Sequence, residues 1–309
     1  MRLLGHLPSF RLRGLIAAAL AVSLGACGGE VNVSVPPRIA VLSAFPAEMA
    51  PLLAQATVDD TTTINGRTFR IGKLGGVSVV MGLTGIGLAN AAMTTHALLE
   101  QFTVTGVVVS AVAGSTVQIG DVTVPATWEF ADGTSYAATP AWLELAKQVA
   151  ASGTVSMDNC TQRPSAPALP AVCVTPNLAV VVGGIGQSTD VDNGTPFPCQ
   201  SSGTDVFGCD ATASDVAAAT STVSGSAVAT LDTIDPATSI ASDNETAAIA
   251  REAAAHGLPF IAFRAVSDGA GDPLGLPGYP SEFFVYYRLS AHNAAATTVA
   301  FLDRLAAGS

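Results

Sequence analysis

Three acidic residues stand where a carboxyl group could act on a bound ligand. Glu48 follows a short apolar run, Glu245 opens a helix-like stretch, and Asp268 follows a second apolar run. In open α/β sheets, ligands bind beyond the carboxyl ends of the strands, and all three acids are expected at that edge. A carboxyl group there can transfer a proton or hold a hydroxyl group of the ligand. These side chains are therefore the candidate chemical groups of the sequence.

Each of these acids also has a purely structural explanation. Glu48 could complement the positive end of its own helix. Glu245 could complete a capping box with Ser242, and Asp268 could form a turn with Gly269. Taken one at a time, the three positions leave both explanations open.

The elements that must position these acids alternate along the chain. Apolar runs predict strands at 38–43, 106–110, 122–125, 178–182 and 259–266, and a Gly-Gly pair between 68–74 and 77–82 predicts a hairpin. Helices are predicted from Pro46 and over 88–102, 141–150, 245–256 and 284–305. Strands that alternate with helices predict an α/β sheet covered on both faces.

The middle of the chain is less regular. Residues 192–240 are rich in Ser, Thr, Ala and Asp and have weak periodicity, which predicts an irregular insertion. Four cysteines lie near or inside it, and an even number in an exported chain favours disulfides. Three pairings are possible, and the short separations favour one bond in each loop. A zinc site is less well supported because no CxxC spacing is present. The favoured pairs are Cys160 with Cys173 and Cys199 with Cys209.

The first residues have the order of a secretory signal. Three arginines precede the apolar run 15–22, and small residues follow it. The end of this segment, Leu24 to Cys27, resembles the bacterial lipobox, in which the cysteine is acylated. We therefore predict a signal peptide over 1–26, lipidation of Cys27, a tether over 27–37 and one domain over 38–309. Gly28 in place of Asp favours the outer membrane and a periplasmic body, and plain secretion is the alternative.

The charge and the histidines exclude other classes of function. The net charge of −11 would become −14 after removal of the three arginines in 1–26, and so acidic a surface disfavours nucleic-acid binding. His96, His256 and His292 lie in three predicted helices without HExxH spacing. The sequence therefore implies no metal and no organic cofactor.

Longer strings around the acids resemble the purine nucleoside phosphorylase superfamily, and especially its methylthioadenosine/S-adenosylhomocysteine nucleosidases. The resemblance covers most of the chain after residue 37 and implies a three-layer α/β/α fold with a mixed central sheet, in a homodimer. The strings are RIAVLSAFPAEM at 38–49, TGIGLANAA at 84–92, VSAVAG at 109–114, IGDVTVP at 119–125, DNETAAIA at 243–250 and FRAVSD at 263–268.

The resemblance also implies a role for each acid. Cleavage of an N-ribosyl bond passes through an oxocarbenium-like sugar, so the leaving base must be protonated and water must be activated. By resemblance, Asp268 protonates purine N7 and Glu48 accepts the proton of the attacking water. Glu245 binds the ribose hydroxyls, and the backbone of Asn244 lies beside it.

Three further residues are assigned to substrate binding. Thr84 lies in the second string, and Phe45 and Tyr279 are expected as walls for the ribose and its 5′ substituent. The family's stacking phenylalanine near the base has no counterpart in 186–191. Phe197 or Phe207 of the insertion could replace it, or the insertion could cover the pocket.

The predicted function is hydrolysis of a purine nucleoside, such as the 5′-substituted adenosines methylthioadenosine and S-adenosylhomocysteine. Water is favoured over phosphate as nucleophile because no arginine lies in the turn after the first strand or beside 110–114 in the sequence. A phosphate-dependent phosphorylase is one alternative. A nucleoside-binding lipoprotein without turnover, suggested by the altered base segment, is another.

Overall fold

The computed structural model describes residues 37–202, 204–221 and 223–308. The predicted signal peptide, Cys27 and most of the predicted tether lie outside these residues. The described helices are Pro46–Leu53 (α1), Leu88–Gln101 (α2), Pro140–Ala151 (α3), Ala213–Ser221 (α4), Thr246–Ala255 (α5) and Phe283–Ala307 (α6). The described strands are Arg38–Ser43 (β1), Thr57–Ile64 (β2), Arg67–Leu74 (β3), Val77–Leu83 (β4), Val104–Gln118 (β5), Val122–Val124 (β6), Thr127–Phe130 (β7), Ser135–Ala137 (β8), Ser156–Met157 (β9), Cys160–Thr161 (β10), Val172–Cys173 (β11), Ala179–Ser188 (β12), Val223–Ser224 (β13), Ala227–Val228 (β14), Thr230–Asp243 (β15) and Phe260–Ala270 (β16).

Eleven of the described strands form one mixed sheet. Its order is β2-β3-β4-β1-β5-β16-β6-β12-β7-β8, and β15 pairs with both β12 and β5. The centre is parallel, since β1 pairs in parallel with β4 and β5, and β16 pairs in parallel with β5. The hairpin of β3 and β4 and the pairing of β2 with β3 are antiparallel. The predicted mixed α/β sheet is confirmed.

Helices cover both faces of this sheet. One apolar cluster packs α1, α3 and α6 against the sheet, with Met49, Trp142 and Phe301 among its buried side chains. A second cluster packs α2 and α5 against the opposite face, through residues such as Leu98 and Ile249. The central strands are therefore buried on both sides, which is why β1 is a nearly continuous apolar run.

The segment predicted to be irregular is more regular than its composition suggested. It contains α4, two short strands and most of β15, which pairs in parallel with β12 over nine positions. Most of β15 before Ile240 is exposed or half-buried, so burial imposes little hydrophobic pattern on it. The irregular part is the loop between β12 and α4. Both favoured disulfides are present, Cys160 with Cys173 and Cys199 with Cys209.

Two strands differ from the prediction in ways that affect the site. Strand β5 runs from Val104 to Gln118, well beyond the predicted end at residue 110. Strand β16 continues to Ala270, so Asp268 lies within the strand, opposite Gly114 at a register shift, and not in a turn. No helix among the described residues is long and apolar enough to cross a membrane.

Candidate active site

A cavity of about 510 Å³ lies at the carboxyl ends of β1, β5 and β16. Its lining includes Glu48, Glu245 and Asp268, which are up to 220 residues apart in the sequence. A shallower cleft of about 500 Å³ adjoins it and shares Gly114, Ser242, Asp268 and Tyr279 with its wall. The structure thus brings the three sequence-predicted acids to one site, of a size that suits a small organic ligand.

Glu48 is held by backbone N–H groups from two elements. It is the third residue of α1, and its Oε2 accepts hydrogen bonds from the N–H groups of Ala44 at 2.6 Å and Phe45 at 3.3 Å. Its Oε1 accepts from the N–H of Val112 on β5 at 2.8 Å. The side chain does complement the start of its helix, yet it also lines the cavity. Burial and the nearby Glu245 raise the pKa of Glu48 to about 8, against the opposing effect of Arg264.

Glu245 immediately precedes α5 and reaches across the site to the start of α2. Its Oε1 accepts the N–H of Gly87 at 2.9 Å, and its Oε2 lies 3.3 Å from Nη2 of Arg264. The expected capping box with Ser242 is wrong, because Asp243 accepts the backbone N–H groups of Glu245 and Thr246 instead. Burial raises the pKa of Glu245, and Arg264 acts in the opposite direction.

Arg264 is a buried cation that sequence reasoning did not place in the site. Its Nη2 lies 2.6 Å from Oδ2 of Asp243, and its Nη1 donates to the carbonyl of Val112 at 2.8 Å. The guanidinium therefore lies beside 110–114 in space, although no arginine is near that segment in the sequence. A charged residue inside the otherwise apolar run of β16 was the signal for a buried functional or structural ion. The acidic neighbours keep the pKa of Arg264 above its usual range despite burial.

Asp268 also lines the cavity and is half-buried. The hydroxyl of Ser267 donates to its Oδ1 at 2.7 Å. Partial burial raises the pKa of Asp268, which favours a protonated carboxyl that can donate. A Cβ atom at Gly114 would lie 2.7 Å from Oδ2 of Asp268, so glycine at this position leaves the room that the carboxyl group occupies.

Aromatic rings form two walls of the cavity. Phe45 packs edge-on against Phe283 of α6, with ring centroids 6.0 Å apart. Phe197 and Phe207, from the loop after β12, also line the cavity, with ring centroids 6.3 Å apart. The insertion therefore contributes aromatic side chains and leaves the cavity open. Tyr279 lies at the rim and is 72% exposed.

Of two further predicted binding residues, Asn244 lies in the cavity lining and Thr84 does not. Asn244 lines the cavity, and its side-chain amide group lies 3.1 Å from the hydroxyl of Thr189. Thr84 is fully buried, and its hydroxyl donates to the carbonyl of Gly85 at 2.9 Å. It does not belong to the described lining, so its predicted contact with substrate needs correction. The reason is local, because the threonine hydroxyl bonds to its own turn.

The charges of the site are unbalanced. Among the described residues that line the cavity, Arg264 is the one lysine or arginine, whereas four carboxyl groups line it. Arg264 is already engaged by Asp243, Glu245 and the carbonyl of Val112. The raised pKa values of Glu48, Glu245 and Asp268 reduce the negative charge of their carboxyl groups, so an anion is disfavoured mainly because the guanidinium already has protein acceptors. The site therefore suits a neutral group better than phosphate.

The chain is similar to known proteins in its sequence. The sequence profile of the phosphorylase superfamily matches residues 38–161. An uncharacterized protein of Mycobacterium tuberculosis is 34% identical over 221 residues, which cover 62% of this chain and 86% of that protein. A 5′-methylthioadenosine/S-adenosylhomocysteine nucleosidase of Shewanella denitrificans is 26% identical over 87% of this chain and 100% of its own length.

The fold has close counterparts among solved structures. The crystal structure of a 5′-methylthioadenosine/S-adenosylhomocysteine nucleosidase of Colwellia psychrerythraea, in complex with adenine, has a TM-score of 0.58 at 22% identity. The similarity covers 87% of this chain and 96% of that one. The matched profile includes β1, α1 and β5. From its sequence and its fold, this chain belongs to the phosphorylase superfamily.

Proposed function

We propose that this protein is an N-ribosyl hydrolase that cleaves purine nucleosides to free base and sugar. The proposed substrates are 5′-substituted adenosines of the type of methylthioadenosine and S-adenosylhomocysteine. The observation that carries the proposal is that Glu48, Glu245 and Asp268 line one cavity with aromatic walls. The names of the Shewanella and Colwellia relatives support the same reaction class.

Asp268 is the proposed general acid. Departure of a purine leaves negative charge on the base, and protonation at N7 removes that charge. A carboxyl group can donate only while it is protonated, and the raised pKa of Asp268 favours this form. The hydrogen bond from Ser267 fixes one oxygen, so that the other can face the base.

Glu48 is the proposed acceptor of the water proton. Its raised pKa of about 8 makes the ionised carboxylate a stronger base than an ordinary glutamate. Only ionised Glu48 can accept this proton, so the carboxyl group first releases its own proton to solvent, and a sugar with developing positive charge favours the ionised form. The backbone N–H groups of Ala44 and Val112 keep the carboxylate in one orientation throughout.

Glu245 is the proposed ligand of the ribose hydroxyls. It lies between the N–H of Gly87 and the guanidinium of Arg264, which fix the carboxylate from two directions. Hydrogen bonds from sugar hydroxyls to a carboxylate are strong, and the negative charge stabilises a cationic sugar. Arg264 is a positioning residue in this mechanism, because it acts through Asp243 and Glu245.

Water is the proposed nucleophile. Phosphate would need cationic or N–H donors that are free to bind it, and the single lining guanidinium is saturated by protein acceptors. Phosphorolysis is the alternative that the assay must test.

The loop after β12 is proposed to bind the base. Phe197 and Phe207 supply flat apolar surface in a region where 186–191 supplies none, so they are the candidates for stacking on the purine. Phe45, Phe283 and the exposed Tyr279 form the proposed wall for the ribose and its 5′ group.

We also propose that the protein is exported, lipidated at Cys27 and held at the outer membrane on the periplasmic side. The order of charged, apolar and small residues in 1–26 supports export, and so does the presence of two disulfides. A homodimer is proposed from the family resemblance.

The test is release of free purine, measured by chromatography, from methylthioadenosine, S-adenosylhomocysteine, adenosine and inosine, with and without phosphate. The proposal expects release without phosphate and fastest turnover of a 5′-substituted adenosine. Release that requires phosphate would identify a phosphorylase. Calorimetric binding without any release would identify a nucleoside-binding protein.

A further inference from the structure

A second cluster of side chains lies away from the cavity, where α2 and α5 pack together. His96 and Glu100 are one turn apart near the end of α2, and Glu252 and His256 are one turn apart at the end of α5. The two histidine rings lie 6.0 Å apart, so the expectation of scattered histidines is wrong for this pair. The packing of two helices brings them together, which sequence spacing within one helix could not indicate.

The atoms of this cluster have the spacing of metal ligands. One ligand atom from each of His96, Glu100 and His256 lies within 4.8 Å of the other two. The Nε2 of His256 is 3.4 Å from Oε1 of Glu100. Neighbouring ligands of tetrahedral zinc lie about 3.3 Å apart, given bonds of about 2.0–2.1 Å. A small side-chain rotation would therefore complete the geometry.

A hydrogen bond to the backbone orients one of the rings. Nδ1 of His256 lies 2.9 Å from the carbonyl oxygen of Glu252, a contact in which Nδ1–H donates. Because a carboxylate oxygen only accepts, Nε2–H donates to Oε1 of Glu100 at 3.4 Å, and a bound metal ion would replace this proton. Histidine ligands of metals commonly donate their other ring N–H to a carbonyl or carboxylate in this way. The ring is thus oriented as a ligand would be.

We propose that His96, Glu100 and His256 bind one divalent transition-metal ion of the zinc class. Imidazole and carboxylate together suit zinc, cobalt and nickel better than calcium or magnesium. Glu252 is the available fourth ligand, because its Oε2 lies 3.5 Å from Nδ1 of His96 while Arg251 contacts its other oxygen. His96 and Glu100 are more than half exposed, so an ion can reach the site from solvent.

The position of the site suggests its effect. The same two helices meet at their other ends in the candidate active site, where the N–H of Gly87 before α2 bonds to Glu245 before α5. A metal that binds both helices would fix their far ends together. Because such an ion binds only the folded chain, it would raise the unfolding temperature in proportion to the logarithm of its concentration.

The experiment is a calorimetric titration of tag-free, EDTA-treated protein with Zn²⁺, with Co²⁺ absorption spectra as a second readout. The expected result is one equivalent of Zn²⁺, with affinity at least tenfold weaker in His96→Asn and in His256→Asn. His292→Asn is the matched control, since His292 lies on α6 beside Asp158, and should bind as the wild type does.

The titration can also overturn the proposal. Absence of Zn²⁺ and Co²⁺ binding at millimolar concentrations would contradict it, and so would binding that the His96 and His256 variants leave unchanged. A thermal-shift measurement on each variant without metal shows that the variants fold, so that lost binding reports the site itself.

Discussion

The two sides of the cavity are built differently. The acids lie on the sheet framework, at the start of α1, before α5 and within β16. Another part of the lining comes from the loop between β12 and α4, which is closed by Cys199–Cys209 and attached to the framework through Asp205 and Asp210. The framework can keep the reacting groups fixed while the loop changes. We infer that catalysis depends on the first side and ligand recognition on the second.

The largest expected effect is a loss of turnover when an acid of the framework is replaced. Glu48→Gln and Asp268→Asn should each lower kcat about 10²–10⁴-fold, because each removes a proton transfer in the proposed mechanism. The measurement is purine release under saturating substrate. Asp59→Asn, an exposed acid on β2, is the control and should keep wild-type kcat. Unchanged kcat in both active-site variants would mean that this cavity is not the catalytic site.

Arg264→Met tests the stability of the framework side. The substitution leaves the buried Asp243 and Glu245 without their cation, and loss of one partner from a buried ion pair typically costs about 3–5 kcal/mol. Urea unfolding measures the change in the free energy of unfolding. Lys147→Met, at an exposed pair with Glu144, should change it by less than about 1 kcal/mol. Equal effects in the two variants would contradict the account.

The raised pKa of Glu48 predicts a pH dependence of stability. The folded state holds the Glu48 proton up to about pH 8, whereas the unfolded chain releases it near the ordinary value of 4.5. The stability that the folded state keeps while Glu48 is protonated is therefore fully present below the unfolded pKa. It is lost as pH rises through the folded pKa. Each pKa unit corresponds to about 1.4 kcal/mol, so Glu48→Gln should gain stability relative to wild type, on the order of 3 kcal/mol, from pH 5 to pH 8.

Thermal unfolding of both proteins across this range measures the difference. A constant gap in Tm between Glu48→Gln and wild type would mean that the burial of Glu48 does not perturb its ionisation. A gap that widens in favour of the variant at high pH is the predicted result.

The two disulfides provide a matched comparison of the two sides. Cys160–Cys173 and Cys199–Cys209 close loops of similar length, with sequence separations of 13 and 10. Removal of either by a double Cys→Ser change should cost about 3 kcal/mol by the chain-entropy argument. Only removal of Cys199–Cys209 should raise KM, because that bond closes the loop that carries Phe207 and begins two residues after Phe197, and both rings line the cavity. Equal KM in the two variants would argue against a role of the loop in recognition.

The smallest effect is expected for single rings of the loop. Phe207→Ala should raise KM about 5- to 100-fold and leave kcat within a few fold, since base stacking on one aromatic ring is worth about 1–3 kcal/mol. Leu169→Ala, at an exposed position in the other disulfide loop, is the control. A fall in kcat with KM unchanged would mean that Phe207 affects the chemical step and not substrate binding.

The framework was predictable because its sequence pattern is local. The apolar run of β1 indicated a strand buried on both faces. Glu48 was expected at the sheet edge because it follows this strand, and Glu245 was expected there because it opens a predicted helix. The strings around them indicated the family. Pairing of the cysteines followed from separations short enough for each bond to close one loop.

Features that depend on distant packing were missed. Strand β2 is rich in Thr and Asp and is mostly exposed, so it carried no hydrophobic signal. The place of Arg264 beside Val112 depends on the pairing of β16 with β5, which spacing within one segment does not reveal. The approach of His96 to His256 depends likewise on how α2 packs against α5.

The most direct test of the account is to identify the sugar product formed from methylthioadenosine by phosphorus NMR and chromatography, with phosphate present. The account predicts free adenine and a free reducing sugar at the same rate with or without phosphate, and loss of both in Asp268→Asn. A sugar 1-phosphate as the product, or full adenine release by Asp268→Asn, would contradict it.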